Sequence, residues 1–179
     1  MKPRILFIIF FFAFVIFSFV GKAQFARAAI AAPAPLPNPL GRLVIPSIHL
    51  KAPIAAVGLT PAGNMGVLNN PKEVGWYEGG AVPGAPGSAV IDAHVFQAFA
   101  KLKNVKLGSS IYVTHADGSM LRFVVSEVEV YPYTATAPLP KIFNRSDKPR
   151  LNLITCYGKL TTDHSTYDHR LVVFAELAS

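Results

Sequence analysis

Cysteine is almost missing from this chain: 179 residues hold a single thiol, Cys156. One thiol excludes an internal disulfide framework and any metal site built on two or more thiolates of the chain. Acidic residues are scarce as well, 10 Asp and Glu against 17 Lys and Arg. The imbalance is local, because residues 1–40 carry Lys2, Arg4, Lys22 and Arg27 and no acid. The remainder holds 13 basic and 10 acidic groups, a scattered +3 that is too weak for a nucleic-acid footprint. There is no Gly-rich phosphate loop, no Gly-x-Ser-x-Gly elbow and no His-Glu-x-x-His helix. Asp163-His164 and Asp168-His169 match no compact zinc spacing and read as a polar loop, so neither a metal nor another cofactor is expected. No fixed-period repeat suggests a solenoid or propeller.

What is present is unevenly distributed. Eight of the 13 Phe fall within the first 25 residues. Lys2 and Arg4 precede an apolar run from Ile5 to Val20 broken only by Ser18. As a helix that run spans about 25 Å, against roughly 30 Å for a bilayer core. Two readings stand: an uncleaved signal-anchor, or a signal peptide cleaved at a small-residue site such as Ala26-Arg27-Ala28. Lys22 and Arg27 beyond the run nearly cancel the positive-inside bias of Lys2 and Arg4. Under either reading the rest of the chain is exported, as a single-pass membrane protein or as a secreted one. The expected division is a leader over 1–27, an Ala/Pro-rich linker over 28–40, and one domain over 41–179. The linker's prolines favour extended polyproline geometry, a semi-rigid spacer.

The domain reads mostly β. Short apolar runs at 43–45, 54–59, 88–91, 111–114, 120–130, 151–156 and 170–174 are separated by Gly/Pro-rich turns. Asp117-Gly118 marks a hairpin between the fourth and fifth of these. The pattern predicts an all-β barrel or sandwich, with its one convincing helix over 95–103.

Three positions could carry chemistry. Cys156 ends the apolar strand Leu151-Asn152-Leu153-Ile154-Thr155, where a side chain can emerge toward solvent. A Cys in such a strand is commonly an inert core residue. An exported domain shifts that balance, because oxidising compartments penalise idle thiols. His94 ends a second apolar strand, with Asp92 two residues earlier on the same strand face. An imidazole can serve a thiol as general base and then protonate a leaving amine; a histidine at a helix start is the plainer alternative. Arg170 opens the strand Leu171-Val172-Val173-Phe174, either simply solvated or donating to a developing oxyanion. If strands 151–156 and 170–174 pair, the loop 157–169 brings Arg170 close to Cys156. Spacing alone leaves both readings open.

Together these residues resemble the sortases, exported cysteine transpeptidases. The likeness rests on Leu153-Ile154-Thr155-Cys156, on His94 after its apolar strand, and on Arg170 before Val172-Val173. It extends to Ile45-Pro46-Ser47-Ile48, Gly75-Trp76-Tyr77, Pro83-Gly84-Ala85-Pro86-Gly87-Ser88-Ala89-Val90-Ile91, Phe99 to Leu107 and Asp117-Gly118, and so covers 41–179 in order. The short body is most similar to the class E or F branches rather than the pilus-building class with its extra lid. The resemblance implies an all-β, closed eight-stranded barrel with one or two short helices behind the N-terminal hydrophobic segment. It implies Cys156 as nucleophile on the Thr–Gly carbonyl of an LPxTG-like sorting signal, His94 as acid and base, and Arg170 on the substrate or its oxyanion. Surface proteins bearing that signal and an amine of the cell envelope are the implied partners, with no cofactor.

The sequence departs from the family pattern at Ala93, where Gly usually precedes the catalytic histidine, and at Asp92 before it. Asp92 is a candidate for orienting His94. Residues 131–150 correspond in order to the loop that shapes the sorting-signal groove, without naming individual binding residues. The competing functions are a hydrolytic cysteine peptidase and a catalytically idle, exported peptide-binding barrel.

Overall fold

The computed structural model describes residues 39–144 and 147–179. The expected leader and all but the last two residues of the expected linker lie outside the described residues. Among the described residues, no helix is long and apolar enough to cross a membrane.

Eight strands form among the described residues: β1 (Leu40–Ile45), β2 (Leu50–Val57), β3 (Val74–Tyr77), β4 (Gly87–Asp92), β5 (Ser110–His115), β6 (Met120–Pro132), β7 (Pro149–Leu160) and β8 (Tyr167–Leu177). They close into a barrel in the order β1-β2-β3-β4-β7-β8-β6-β5. Closure gives every one of these strands a neighbour on both sides. Neighbours are antiparallel except for two parallel pairs, β2–β3 and β4–β7.

Side-chain alternation sets which face each strand buries. Along β5, Ile111 and Val113 are buried and Tyr112 and Thr114 face outward. In β4, β7 and β8 the buried residues run on without alternation, because both faces are covered. Their inward side chains, Ala89, Ile91, Leu151, Leu153 and Val173, join Leu43, Ile45, Ile111, Val113 and Phe123 in the barrel core. Their outward side chains, Val90, Val172 and Phe174, form a second cluster with Ile142. Ile142 belongs to α1 (Leu139–Phe143), which lies against this wall from outside.

Three sequence expectations are corrected. The helix expected over 95–103 is a series of tight turns ending in a 3₁₀ turn, Leu102–Asn104. Its backbone bonds run from residue i to i−3 at Gln97, Ala100, Leu102, Asn104 and Val105. In that geometry residues three apart eclipse, which puts Phe99, Leu102 and Val105 together in the core. The spacing of these three buried residues is three, not 3.6. The second correction concerns 131–150, expected as a loop, which contains α1, begun by Leu139 and Pro140 as proline in a first turn allows. The third is the connection expected over 157–169. The strands extend to Leu160 and resume at Tyr167, so only 161–166 remain as loop. The hairpin at Asp117-Gly118 forms as expected, with Gly118 at φ 87°.

Phe123 is fully buried at the centre of the barrel. Phe123→Ala is expected to lower unfolding free energy by about 3–5 kcal/mol, the usual result of emptying a packed aromatic site. Urea titration checks this, and a loss below about 1 kcal/mol would mean that the barrel is not packed around it.

Candidate active site

The site grows out of strand register. β4 and β7 run parallel with Asp92 opposite Ile154, and β7 and β8 run antiparallel with Ile154 opposite Val172. These three residues form one row across the outer face of the wall. Two residues further along, Cys156 pairs with Arg170. The alignment of β4 continues past its last strand residue: the Ala93 N–H donates to the Ile154 carbonyl at 3.4 Å, and Thr155 Oγ1 donates to the Ala93 carbonyl at 2.7 Å. His94 comes directly after and lines the same groove as Cys156 and Arg170. Cys156 and Arg170 thus sit one pleat repeat, about 7 Å, beyond the row of Asp92, Ile154 and Val172.

Each side chain is held. His94 stacks on Phe96, centroids 5.3 Å apart and planes inclined by 13°. The His94 carbonyl accepts from the N–H groups of Gln97 and Phe99, so the turn behind the imidazole is anchored through buried Phe99. Arg170 donates from Nη1 to the Tyr167 and His169 carbonyls, both at 3.0 Å, and from Nη2 to Thr166 Oγ1 at 2.8 Å. A guanidinium carries five N–H donors, so Nε–H and one Nη2–H stay open. Its carbon lies 5.8 Å from the centre of the Tyr133 ring. Cys156 is half-buried and carries the free thiol.

The groove around this row has a volume of about 790 Å³. Met65 and Val67 line one part of it, Leu139, Ile142 and Phe143 of α1 another, and Tyr133, Leu160 and Tyr167 the approach to Arg170. α1 is fastened to the barrel wall. Lys141 bridges Glu127 and Glu129 of β6 at 2.5 and 3.1 Å and lies 4.4 Å over the Phe174 ring. Asn152 Nδ2 donates to the Ile142 carbonyl at 2.6 Å, and Phe143 meets Tyr77 edge-on at 6.1 Å. The exposed ion pairs contribute at most about 1 kcal/mol each, so the buried contacts hold the helix.

Tyr131, opposite Arg170 on β6, also lines the groove. Burial, reinforced by Glu129, pushes its phenol up to about 12. Its hydroxyl donates to Glu129, so it is committed to structure rather than to proton transfer. Asp163, in the polar loop, is held down at about 2 by the Thr161 hydroxyl and the Ser165 N–H. That carboxylate is used in shaping the turn.

The four residues singled out from sequence therefore line one groove, although they come from three strands and a turn. Sequence reasoning missed Phe96, Thr166, Tyr167, α1 and the segment holding Met65. Pro138-Leu139-Pro140 was a readable helix-start signal for α1; nothing local marked Thr166 as a partner of Arg170.

Asp92 is the misfit. Burial raises its carboxyl from 3.8 to about 7. The folded chain then holds this proton more tightly than the unfolded chain. Its stabilisation is present below about pH 4 and is lost as pH rises to about 7. Relative to Asp92→Asn, the wild-type protein is expected to lose stability across that window, by roughly 4 kcal/mol at most. Urea titrations of both proteins at pH 4, 5.5, 7 and 8 measure the difference. A constant gap would show that Asp92 ionises as freely folded as unfolded.

A family model for the sortase domain matches residues 43–178. Sortase C from Clostridium perfringens SM101 is similar at 26% identity and TM-score 0.59, over 79% of this chain and 70% of that one. Sortase C1 from Streptococcus suis aligns at 25% identity and TM-score 0.62, over 79% of this chain and 74% of that one. A lid mutant of sortase A from Corynebacterium diphtheriae aligns at 25% identity and TM-score 0.62, over 82% of this chain and 73% of that one. No curated protein matches the chain. With its closed eight-stranded barrel and a family match over most of its length, the chain belongs to the sortase family of transpeptidases.

Proposed function

We propose that this sortase cleaves an LPxTG-like sorting signal between Thr and Gly, through a thioacyl-enzyme on Cys156, and passes the acyl group to an amine of the cell envelope. The observation that supports this most is the convergence of His94 with the paired Cys156 and Arg170 in one largely apolar groove.

In this reading the Cys156 thiolate attacks the Thr carbonyl carbon, and the carbonyl π electrons move onto oxygen. The two open N–H donors of Arg170 stabilise that oxyanion, or hold the substrate beside it. Collapse breaks the Thr–Gly C–N bond, and His94 gives its proton to the leaving amine. The thioester then meets an incoming amine, which loses a proton to His94 as the new amide forms and the thiolate departs. Water in place of the amine yields hydrolysis from the same intermediate. Asp92 lies one row away from these events.

The N-terminal segment fits this setting. A signal-anchor over the apolar run 5–21, followed by the Ala/Pro-rich linker, would hold the barrel on the extracytoplasmic face near its substrates. Signal-peptide cleavage would release the same domain. The class E or F likeness belongs to this reading too, and rests on the short body of the domain.

The test is mass spectrometry of an LPxTG-type peptide incubated with the full chain in detergent and a Gly- or Ala-amine acceptor. The expected product is cut after Thr and joined to the acceptor. Cys156→Ala is expected to abolish it, and Arg170→Ala to lower kcat/KM by about 10²–10³-fold with the fold retained. Full activity in either variant would overturn the assignment of these roles.

A further inference from the structure

Three buried side-chain oxygens among the described residues have no hydrogen-bond partner, and of these only Asp92 Oδ1 belongs to a residue lining the groove. Buried acceptors are normally satisfied, and a carboxyl on a groove-lining residue can find its missing donor on a ligand. The surroundings supply none. Across the sheet from Asp92 stands Gly75 of β3, and a Cβ there would come within 2.8 Å of Oδ1. The carboxyl occupies the space that any other residue at 75 would fill. Val57 lies against the same position, at 3.2 Å from that Cβ, and Ile154 is the row neighbour on β7. The cation lining the groove, Arg170, lies in the next row, with three of its donors committed to Thr166, Tyr167 and His169.

We propose that Asp92 is a specificity-determining residue that takes a cationic side chain, Lys or Arg, from the acyl side of the peptide substrate. This rests on the transpeptidase reading above and names the class of signal that the groove prefers. The distance fits. Asp92 lies one pleat repeat, about 7 Å, from the Cys156 row, and an extended peptide covers that in about two residues. The acyl side is the relevant one, because the acyl piece stays in the groove through both half-reactions while the leaving peptide exits. The chemistry fits as well. A carboxyl whose ionisation is held back by burial becomes a full anion when a cation is brought beside it. A neutral aliphatic side chain in the same place would leave the acceptor buried and unmet.

The experiment places Lys, Gln, Leu or Glu in turn at each of the three positions before Thr in an LPxTG-type peptide. Transfer by the full chain is measured as kcat/KM, and binding to the full chain carrying Cys156→Ala is measured by titration. At one position Lys is expected to exceed Leu by at least about 10-fold, with Glu poorest. Adding Asp92→Asn is expected to erase that preference with the side-chain shape kept. Gly75→Ala, which drives a methyl group against the carboxyl, is expected to weaken it with the charge kept. Equal binding of Lys and Leu peptides, or a Lys preference that survives Asp92→Asn, overturns the proposal. So does an equal loss of rate on every peptide in Asp92→Asn, the mark of a residue that acts only by orienting His94. Binding preference decides the matter even if no peptide is transferred, and absent transfer counts against the proposed function alone.

Discussion

The parallel pairing of β4 with β7 is the constraint on which the site depends. Two parallel neighbours end at the same rim, so the residues after β4 and the last third of β7 emerge side by side. An antiparallel pair in this position would have sent His94 and Cys156 to opposite ends of the barrel. The antiparallel β8 then brings Arg170 into register with Cys156 from the other side. Cys156 and Arg170 thus share one row through the backbone ladder, and His94, just past the end of β4, lines the same groove. The Thr155 and Ala93 contact is the small addition that extends the alignment past the end of β4.

A barrel wall with apolar side chains on its outer face requires something to cover it. The outward side chains of β4, β7 and β8 include the apolar Val90, Ile154, Val172 and Phe174, and α1 packs against this patch through Ile142. One short helix therefore has two roles: it buries Val90, Val172 and Phe174, and it forms one flank of the groove. A five-residue helix has little stability of its own, and its position derives from the wall beneath it. The hydrogen bond from Asn152 to the Ile142 carbonyl matters here because Asn152 is fully buried. Arg170 is preorganised by comparable means, through the backbone of its own strand and Thr166 at the end of the loop. A guanidinium already fixed by three hydrogen bonds loses less freedom when it meets a developing charge.

The strands were largely legible because alternation and continuous apolar runs are direct consequences of which faces are covered. The short strand β3 was not, since Val74-Gly75-Trp76-Tyr77 is too brief for a period and contains a glycine. Its pairing is tertiary in origin, with the parallel partner β2 on one side and β4 on the other. The false helix over 95–103 failed on period: Phe99, Leu102 and Val105 are spaced for a 3₁₀ path as well as they approximate an α-helical face. For the site, the residues that carry reactive groups could be named, because thiol, imidazole and guanidinium chemistry is tied to residue type. The residues that hold them could not. Phe96 beneath the imidazole and Thr166 on the guanidinium act through geometry, which strand register and loop closure decide.

Asp92 connects the two levels. Its row neighbours on β7 and β8 are apolar, and β-sheet physics at that place favours a side chain such as Ile154 or Val172. The carboxyl is accommodated only because Gly75 leaves room for it. Its burial works against stability at neutral pH, since desolvation penalises a charge there. A pair of choices that individually weaken the strands, glycine on β3 and aspartate on β4, becomes coherent when the two are taken together. One empties a volume and the other fills it with a carboxyl oxygen of a residue that lines the groove. Local rules are broken most readily where another requirement overrides them. Here the break falls in the row beside Cys156, not deep in the barrel.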